Sequence, residues 1–203
     1  MARYKASRKE ETRERILEAA GRCFRKGGYN GIGVDGLAQE AGVTSGAFYG
    51  HFDSKLAAFS AAIADGMAGL GASIAALQQQ HGDQWWKEFA SFYMNQRRTC
   101  DLAESCVLQS LTPEVGRSDE AMRTMFQSEL LRIVASASGA GTQEAMDRTW
   151  ASLAMLTGGV TLARAVADED LAREIALAVQ NAVIALQTSR QNTPTNPQQP
   201  ITS

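Results

Sequence analysis

Between Val34 and Lys55 the chain reads VDGLAQEAGVTSGAFYGHFDSK, and this spacing constrains the fold more than any other stretch. Leu37, Ala38 and Ala41 recur at helical spacing, so a first short helix buries one face. Gly42 follows, where a left-handed residue ends a helix. Val43 fills the gap before a second helix, which Thr44 opens as N-cap and which runs from Ser45 to about Phe52. Phe48 and Phe52, four apart, point together into a core. Ser45 and Tyr49 point elsewhere, and Gly46 is bare enough for another molecule to approach closely. A short helix with one buried face and a small, hydrogen-bonding outer face suits the DNA major groove. By spacing alone it is equally an ordinary helical hairpin.

The residues Leu37-Ala38, Ala41-Gly42-Val43-Thr44, Gly46-x-Phe48-Tyr49-x-His51-Phe52 and Ser54-Lys55 form a fixed register. It resembles the DNA-binding signature of the TetR family of bacterial transcriptional regulators. The resemblance covers roughly the first quarter of the chain. It implies an all-α protein: an N-terminal three-helix helix-turn-helix head over residues 10–55, and a helical effector-binding and dimerisation domain over 56–188. A flexible basic arm over 1–9 and a disordered polar tail over 189–203 complete the expected organisation. Two positions depart from the family pattern. Gly33 stands where Ser or Thr often caps the second helix, a small loss. Ser45 replaces a longer polar or basic residue and leaves the base preference open.

Charge supports a polarised molecule. The chain is −2 overall, but residues 1–60 hold ten Lys and Arg against seven Asp and Glu, net +3, leaving −5 for residues 61–203. Arg3, Lys5, Arg8 and Lys9 make the arm either a solvated tail or a phosphate and minor-groove contact. No unbroken run of about 18 apolar residues exists, so no membrane span is expected. The apolar stretch of a signal peptide is missing too. Cysteines at 23, 100 and 106 have neither disulfide nor zinc spacing, which fits a reducing cytoplasm. Gly31-Ile32-Gly33-Val34-Asp35-Gly36 satisfies a dinucleotide fingerprint. A helix rather than a strand precedes it, so no cofactor is expected. With two histidines and no triad or metal spacing, neither catalysis nor a metal is expected.

The remaining helices follow from apolar periodicity. Residues 10–27 carry Ile16, Leu17, Ala20 and Phe24. Residues 54–80 carry Leu56, Phe59, Ile63, Met67, Leu70, Ile74 and Leu77, softened by Gly66, Gly69 and Gly71. Lys55 opposes its helix dipole, and a phosphate contact explains it better. Asp83 caps an aromatic helix over 83–98. Further helices are expected over 101–111, 118–138, 142–166 and 169–188, the last capped by Asp168.

The resemblance implies functional positions. Tyr49 and Lys55 would hold DNA phosphates, with Arg3, Lys5, Arg8, Thr44 and His51 as further backbone contacts. Ser45 and the Gly46 backbone would face bases. A small apolar effector would lie near Trp86, Phe89, Tyr93, Cys106, Met122 and Phe126, although such a stripe is also ordinary core. Val160, Leu171, Ile175, Val179, Ala182, Val183 and Leu186 would build a two-fold homodimer interface, although two wide apolar helices can also close a monomer core. A repressor released from a palindromic operator by its ligand is the implied function. The alternative keeps the DNA head and switches it through thiol chemistry at Cys106 or Cys100, with Arg97 and Arg98 favouring thiolate and Asp101 and Glu104 opposing it.

Overall fold

The computed structural model describes residues 2–139 and 141–189, with side chains from Arg8 onward. Its regular structure is helical. The head comprises α1 (Ala2–Gly27), α2 (Val34–Glu40) and α3 (Ser45–Tyr49). The body comprises α4 (Lys55–His81), α5 (Trp85–Phe92), α6 (Val107–Ser110), α7 (Thr112–Gly116), α8 (Glu120–Ser138), α9 (Gln143–Ala165) and α10 (Glu169–Thr188). The fold is the expected all-α architecture.

The head closes on aromatic contacts. Ile16, Ala20 and Phe24 of α1 are fully buried with Leu37 and Phe48. Phe24 meets Phe59 edge-on at 5.0 Å between ring centres, and Tyr29 reaches the same ring at 5.0 Å. Gly28, at φ 71°, lets the chain leave α1, its amide donating to the Phe24 carbonyl at 2.8 Å. Gly42, at φ 66°, turns α2 toward α3 as the spacing predicts. Gly33 does stand as N-cap of α2, without a side-chain bond.

Three boundaries differ from the periodicity. The backbone is helical from Ala2, so the arm expected over 1–9 continues α1 instead of preceding it. No glycine or proline interrupts residues 2–20, and Arg, Lys, Glu and Ala all favour helix. The side chains of Arg3 and Lys5 lie outside the described residues, as does the tail beyond residue 189. The aromatic helix begins at Trp85, because Gly82–Gln84 forms a 3₁₀ turn; Asp83 therefore makes no cap bond. Its far end passes into a π turn at Tyr93–Arg97. Leu56, expected in the buried stripe, is 39% exposed.

In the body, α4 packs on α1, α5 and α8, while α9 and α10 pair along their length. Gly159 sets that last contact: a Cβ there would lie 2.9 Å from Val179 Cγ1. The segment Lys55–Arg97 reaches a mean hydropathy of 1.4 in its best 18-residue window, enough by length and composition to cross a membrane, where the sequence shows no unbroken apolar run. Its apolarity comes largely from small alanines, and the face bearing Ala58, Phe59, Ile63, Met67 and Ile74 is buried within the protein.

Candidate nucleic-acid interface and body cavities

The tip of the head is α3. Thr44 accepts a hydrogen bond from the Ala47 amide at 3.1 Å, which satisfies one of the helix's free donors. Phe48 is fully buried and Phe52 nearly so, which fixes the helix's rotation. Tyr49 is thereby held outward, 54% exposed, with its ring edge-on to Phe48. Gly46 is exposed, and the nearest atom to an added Cβ would be Thr44 Oγ1 at 3.9 Å. Thr44, Gly46 and Tyr49 are all exposed at this tip, while Ser45, expected beside Tyr49, is half-buried.

Three neighbours have tasks that the sequence does not reveal. Ser45 donates to Asp35 Oδ1 at 2.5 Å, tying α3 to the start of α2. Its proton is thus spent inside the head, leaving its lone pairs for a partner. Lys55 donates to the Ile32 carbonyl at 3.1 Å and stands 4.2 Å above the Tyr29 ring. That bond locks the turn before α2 to the start of α4, so Lys55 has a structural role besides any phosphate contact. His51 is half-buried, and its Nδ1 is buried without a partner. Arg8 is exposed on α1.

Two cavities of the body bear on the predicted effector residues. The first, about 310 Å³, lies between α4, α5 and a strap formed by residues 102–106; Leu70, Phe89, Tyr93, Arg97, Cys106 and Arg25 border it. The second, about 490 Å³, lies at the end of α4 away from the head, bordered by Trp85, Trp86, Ser138, Arg148, Thr149 and Gln187. The predicted effector residues are therefore split. Phe89, Tyr93 and Cys106 share the first cavity, and Trp86 borders the second. Met122 and Phe126, on the buried face of α8, border neither. Helical periodicity locates the inner face of each helix but not which helices part to leave a void.

The polar lining of the first cavity is the part that sequence reasoning missed. Arg25 belongs to the DNA head, yet its Nε donates to the Ala103 carbonyl at 2.6 Å. Arg97 donates to the Glu104 carbonyl at 2.5 Å. Burial lowers the Arg25 pKa, with Glu104 opposing the shift. Glu104, which also borders the cavity, is ion-paired with Arg22. Tyr93 is 2% exposed, and its hydroxyl is buried without a partner of normal hydrogen-bond geometry. Burial, followed by Cys106, drives its pKa well up.

All three cysteines are free. Cys100 donates to the Arg97 carbonyl at 3.3 Å and receives Arg164 Nη2 at 3.3 Å. Cys23 is half-buried; burial, then Glu40, raises its pKa. Among the described residues no cluster of His, Cys, Asp and Glu has the arrangement of a metal site.

On α9 and α10, Val160 and Val183 of the predicted dimer set are 1% and 0% exposed within a single chain. Their side chains fill the monomer's own core, so they are not free to meet a second copy. Ile175, Val179 and Leu186 are half-buried, and Leu171 and Ala182 exposed. The open apolar surface is carried by Trp150, Leu162, Leu171 and Leu177, at 37%, 61%, 43% and 58% exposure. Leu162 and Leu177 lie off the buried stripes of their helices, and that was the available signal.

This is an all-helical protein with a helix-turn-helix head on a cavity-bearing helical body. Residues 16–62 match the family described as bacterial regulatory proteins, tetR family. The chain is 45% identical over 64 residues to the HTH-type transcriptional regulator SrpR of Pseudomonas putida, and 44% identical over 64 residues to the uncharacterized HTH-type transcriptional regulator TtgW of the same species. Those matches span 32% of this chain in each case, and 30% and 48% of the relatives. In fold the chain is similar to the reduced form of Escherichia coli NemR, with TM-score 0.73 and 21% identity over 85% of this chain and 95% of that one. The match to the tetR family thus lies in the head, the chain spans less than half the length of these curated relatives, and the likeness of the whole chain to solved structures is one of fold.

Proposed function

We propose that the protein is a cytoplasmic, homodimeric transcriptional regulator, a repressor that a small ligand releases from a palindromic operator. The observation that carries this reading is α3: Phe48 is sealed into the head while Thr44, Gly46 and Tyr49 are exposed at its tip. Gly46 and the free lone pairs of Ser45 face base edges, and Tyr49, with Lys55 and Arg8 at the flanks, faces phosphates. Two copies joined through the exposed apolar side of α9 and α10 present two such helices, and an operator reads as half-sites about 34–36 Å apart. A ligand in the first cavity acts only through its differential affinity for the DNA-competent and incompetent shapes.

The test is fluorescence anisotropy on the DNA upstream of the protein's own coding sequence, at two salt concentrations. Tight binding that weakens steeply with salt and is lost in Tyr49→Ala supports the reading. Competition by unrelated DNA at equal strength overturns it. A monomer by light scattering removes the dimer, whereas a dimer that Leu162→Glu with Leu177→Glu splits supports it.

The location of Cys106 favours a second reading. Its thiol borders the same cavity, beside the Tyr93 hydroxyl, where oxidation or alkylation would move the strap. Release of DNA by diamide that dithiothreitol reverses, and that Cys106→Ser abolishes, selects this switch over a binding equilibrium.

A further inference from the structure

Four charged side chains border the first cavity: Arg25, Arg97, Asp65 and Glu104. Neither Arg25 nor Arg97 has a carboxylate within ion-pair distance. Glu104, the nearest acid, is already taken by Arg22. Asp65 also borders the cavity, but it is exposed on α4. Burial already lowers the pKa of Arg25, although a guanidinium stays charged in any protein environment. Deeper in, the Tyr93 hydroxyl is buried with no partner of normal geometry. Leu70, Leu77, Phe89 and Phe92 supply the apolar part of the wall, beside Ser73 and Ser105. Two guanidinium groups with no carboxylate in ion-pair contact, beside an aromatic wall, are complementary to one kind of molecule.

We propose that this cavity takes an amphipathic organic anion, its oxyanion paired with Arg25 and Arg97 and its apolar body lying along Phe89 and Phe92. This deepens the reading above and rests on it only for the consequence at DNA. Both arginines also hold the strap, through the carbonyls of Ala103 and Glu104. An oxyanion is a stronger acceptor than a carbonyl, by roughly a factor of two in hydrogen-bond strength. An arriving anion therefore competes for the same N–H groups and loosens the strap. Arg25 sits on α1 of the head, which packs on α2, and α2 in turn packs on α3, so its reorientation is passed to α3 through α2.

The experiment compares two probes that differ in charge and share a body: 4-phenylbutyrate and 4-phenylbutan-1-ol, titrated calorimetrically into the full chain without DNA. The acid is expected to bind at least about tenfold tighter than the alcohol, a gap of ~1.4 kcal/mol. That gap closes in Arg25→Gln and in Arg97→Gln and survives in Arg25→Lys, while the alcohol binds all variants alike, which shows that they are folded. Equal affinity for both probes, no binding of either, or a gap that survives in the Arg25→Gln/Arg97→Gln double variant overturns the proposal. DNA anisotropy run in parallel separates the two readings. An anion preference that depends on Arg25, in a protein that binds no DNA, leaves the cavity assignment intact and removes the regulator.

Discussion

The head and the body are both helical, but they are built on different scales. In the head, short helices close on stacked and edge-on aromatic rings, and the polar atoms at the turns have assigned partners: Thr44 with Ala47, Ser45 with Asp35, Lys55 with Ile32. His51 Nδ1 is the exception. In the body, long helices leave cavities of about 310 and 490 Å³, and the buried polar atoms without partners are Tyr93 Oη, Gln109 Oε1 and Arg164 Nε. Of these atoms Tyr93 Oη belongs to a residue bordering the first cavity, whereas Gln109 and Arg164 border neither. On the proposed function, the head must hold one shape, because a base edge is recognised by position, and the body must keep room for a ligand.

Truncating matched core residues tests this contrast most severely. Phe48→Ala removes a fully buried ring from the head and should cost about 3–5 kcal/mol by urea denaturation. Met122→Ala removes a 4% exposed side chain from the looser body and should cost about 2–3 kcal/mol. Equal losses, or a larger one in the body, would break the contrast.

Glycines in the body sharpen it at smaller magnitude, because the same substitution should change sign with the space around it. At Gly159 a new Cβ meets the stiff, β-branched Val179 at 2.9 Å and pushes α10 off α9. Overpacking of about 1–3 kcal/mol outweighs the ~1 kcal/mol that alanine gains in a helix. At Gly69 nothing lies within 4 Å, so Gly69→Ala should stabilise by up to ~1 kcal/mol. Thermal melts of the two variants should move in opposite directions.

Much of the head was legible in the sequence because its signals are local. A capping threonine, a left-handed glycine and two phenylalanines four apart are each read within one or two turns. The body was legible only as a set of stripes. Periodicity found most of the buried faces of α4, α8 and α9, but in α10 the residues buried are Ala172, Ala176 and Val183, and Leu171 and Ala182 are exposed. It could not assign Val160 and Val183 to the monomer core and Leu162 and Leu177 to the open surface, because that depends on which helix lies opposite. The contacts of Arg25 with the strap join residues 78 apart in sequence, and no spacing rule reaches so far. Lys55 shows the same limit within the head. Its position in a first turn looks unfavourable by dipole alone, until the Ile32 carbonyl is found 3.1 Å from its amine.

At the next level down, the comparison concerns caps. Thr44→Ala should cost about 1 kcal/mol, and the loss should show in the head, where α3 has only five residues to share it. Hydrogen exchange should report faster opening of the Phe48 and Phe52 amides than of those in α9. Protection unchanged throughout would mean that Phe48 and Phe52 hold α3 without its cap.

The smallest effect is one of pH, at the body's last helix. Asp168 accepts from the Leu171 amide at 3.0 Å and the Asp170 amide at 2.8 Å. Those bonds, helped slightly by Arg173, hold its pKa below the ordinary carboxylate value despite full exposure. A depressed folded-state pKa means that the contribution is fully present above the unfolded value, about 3.9, and fades as pH falls through the folded one. Asn caps as well as Asp but carries no charge to favour the helix N-terminus. Urea midpoints of wild type and Asp168→Asn should therefore differ at pH 7 and converge in strong acid, and the difference between the two curves isolates this carboxylate from the others. A gap that stays constant with pH would mean that the charge on Asp168 adds nothing to its geometry. Thr44, which cannot titrate, supplies the control: the cost of Thr44→Ala should be the same across that range.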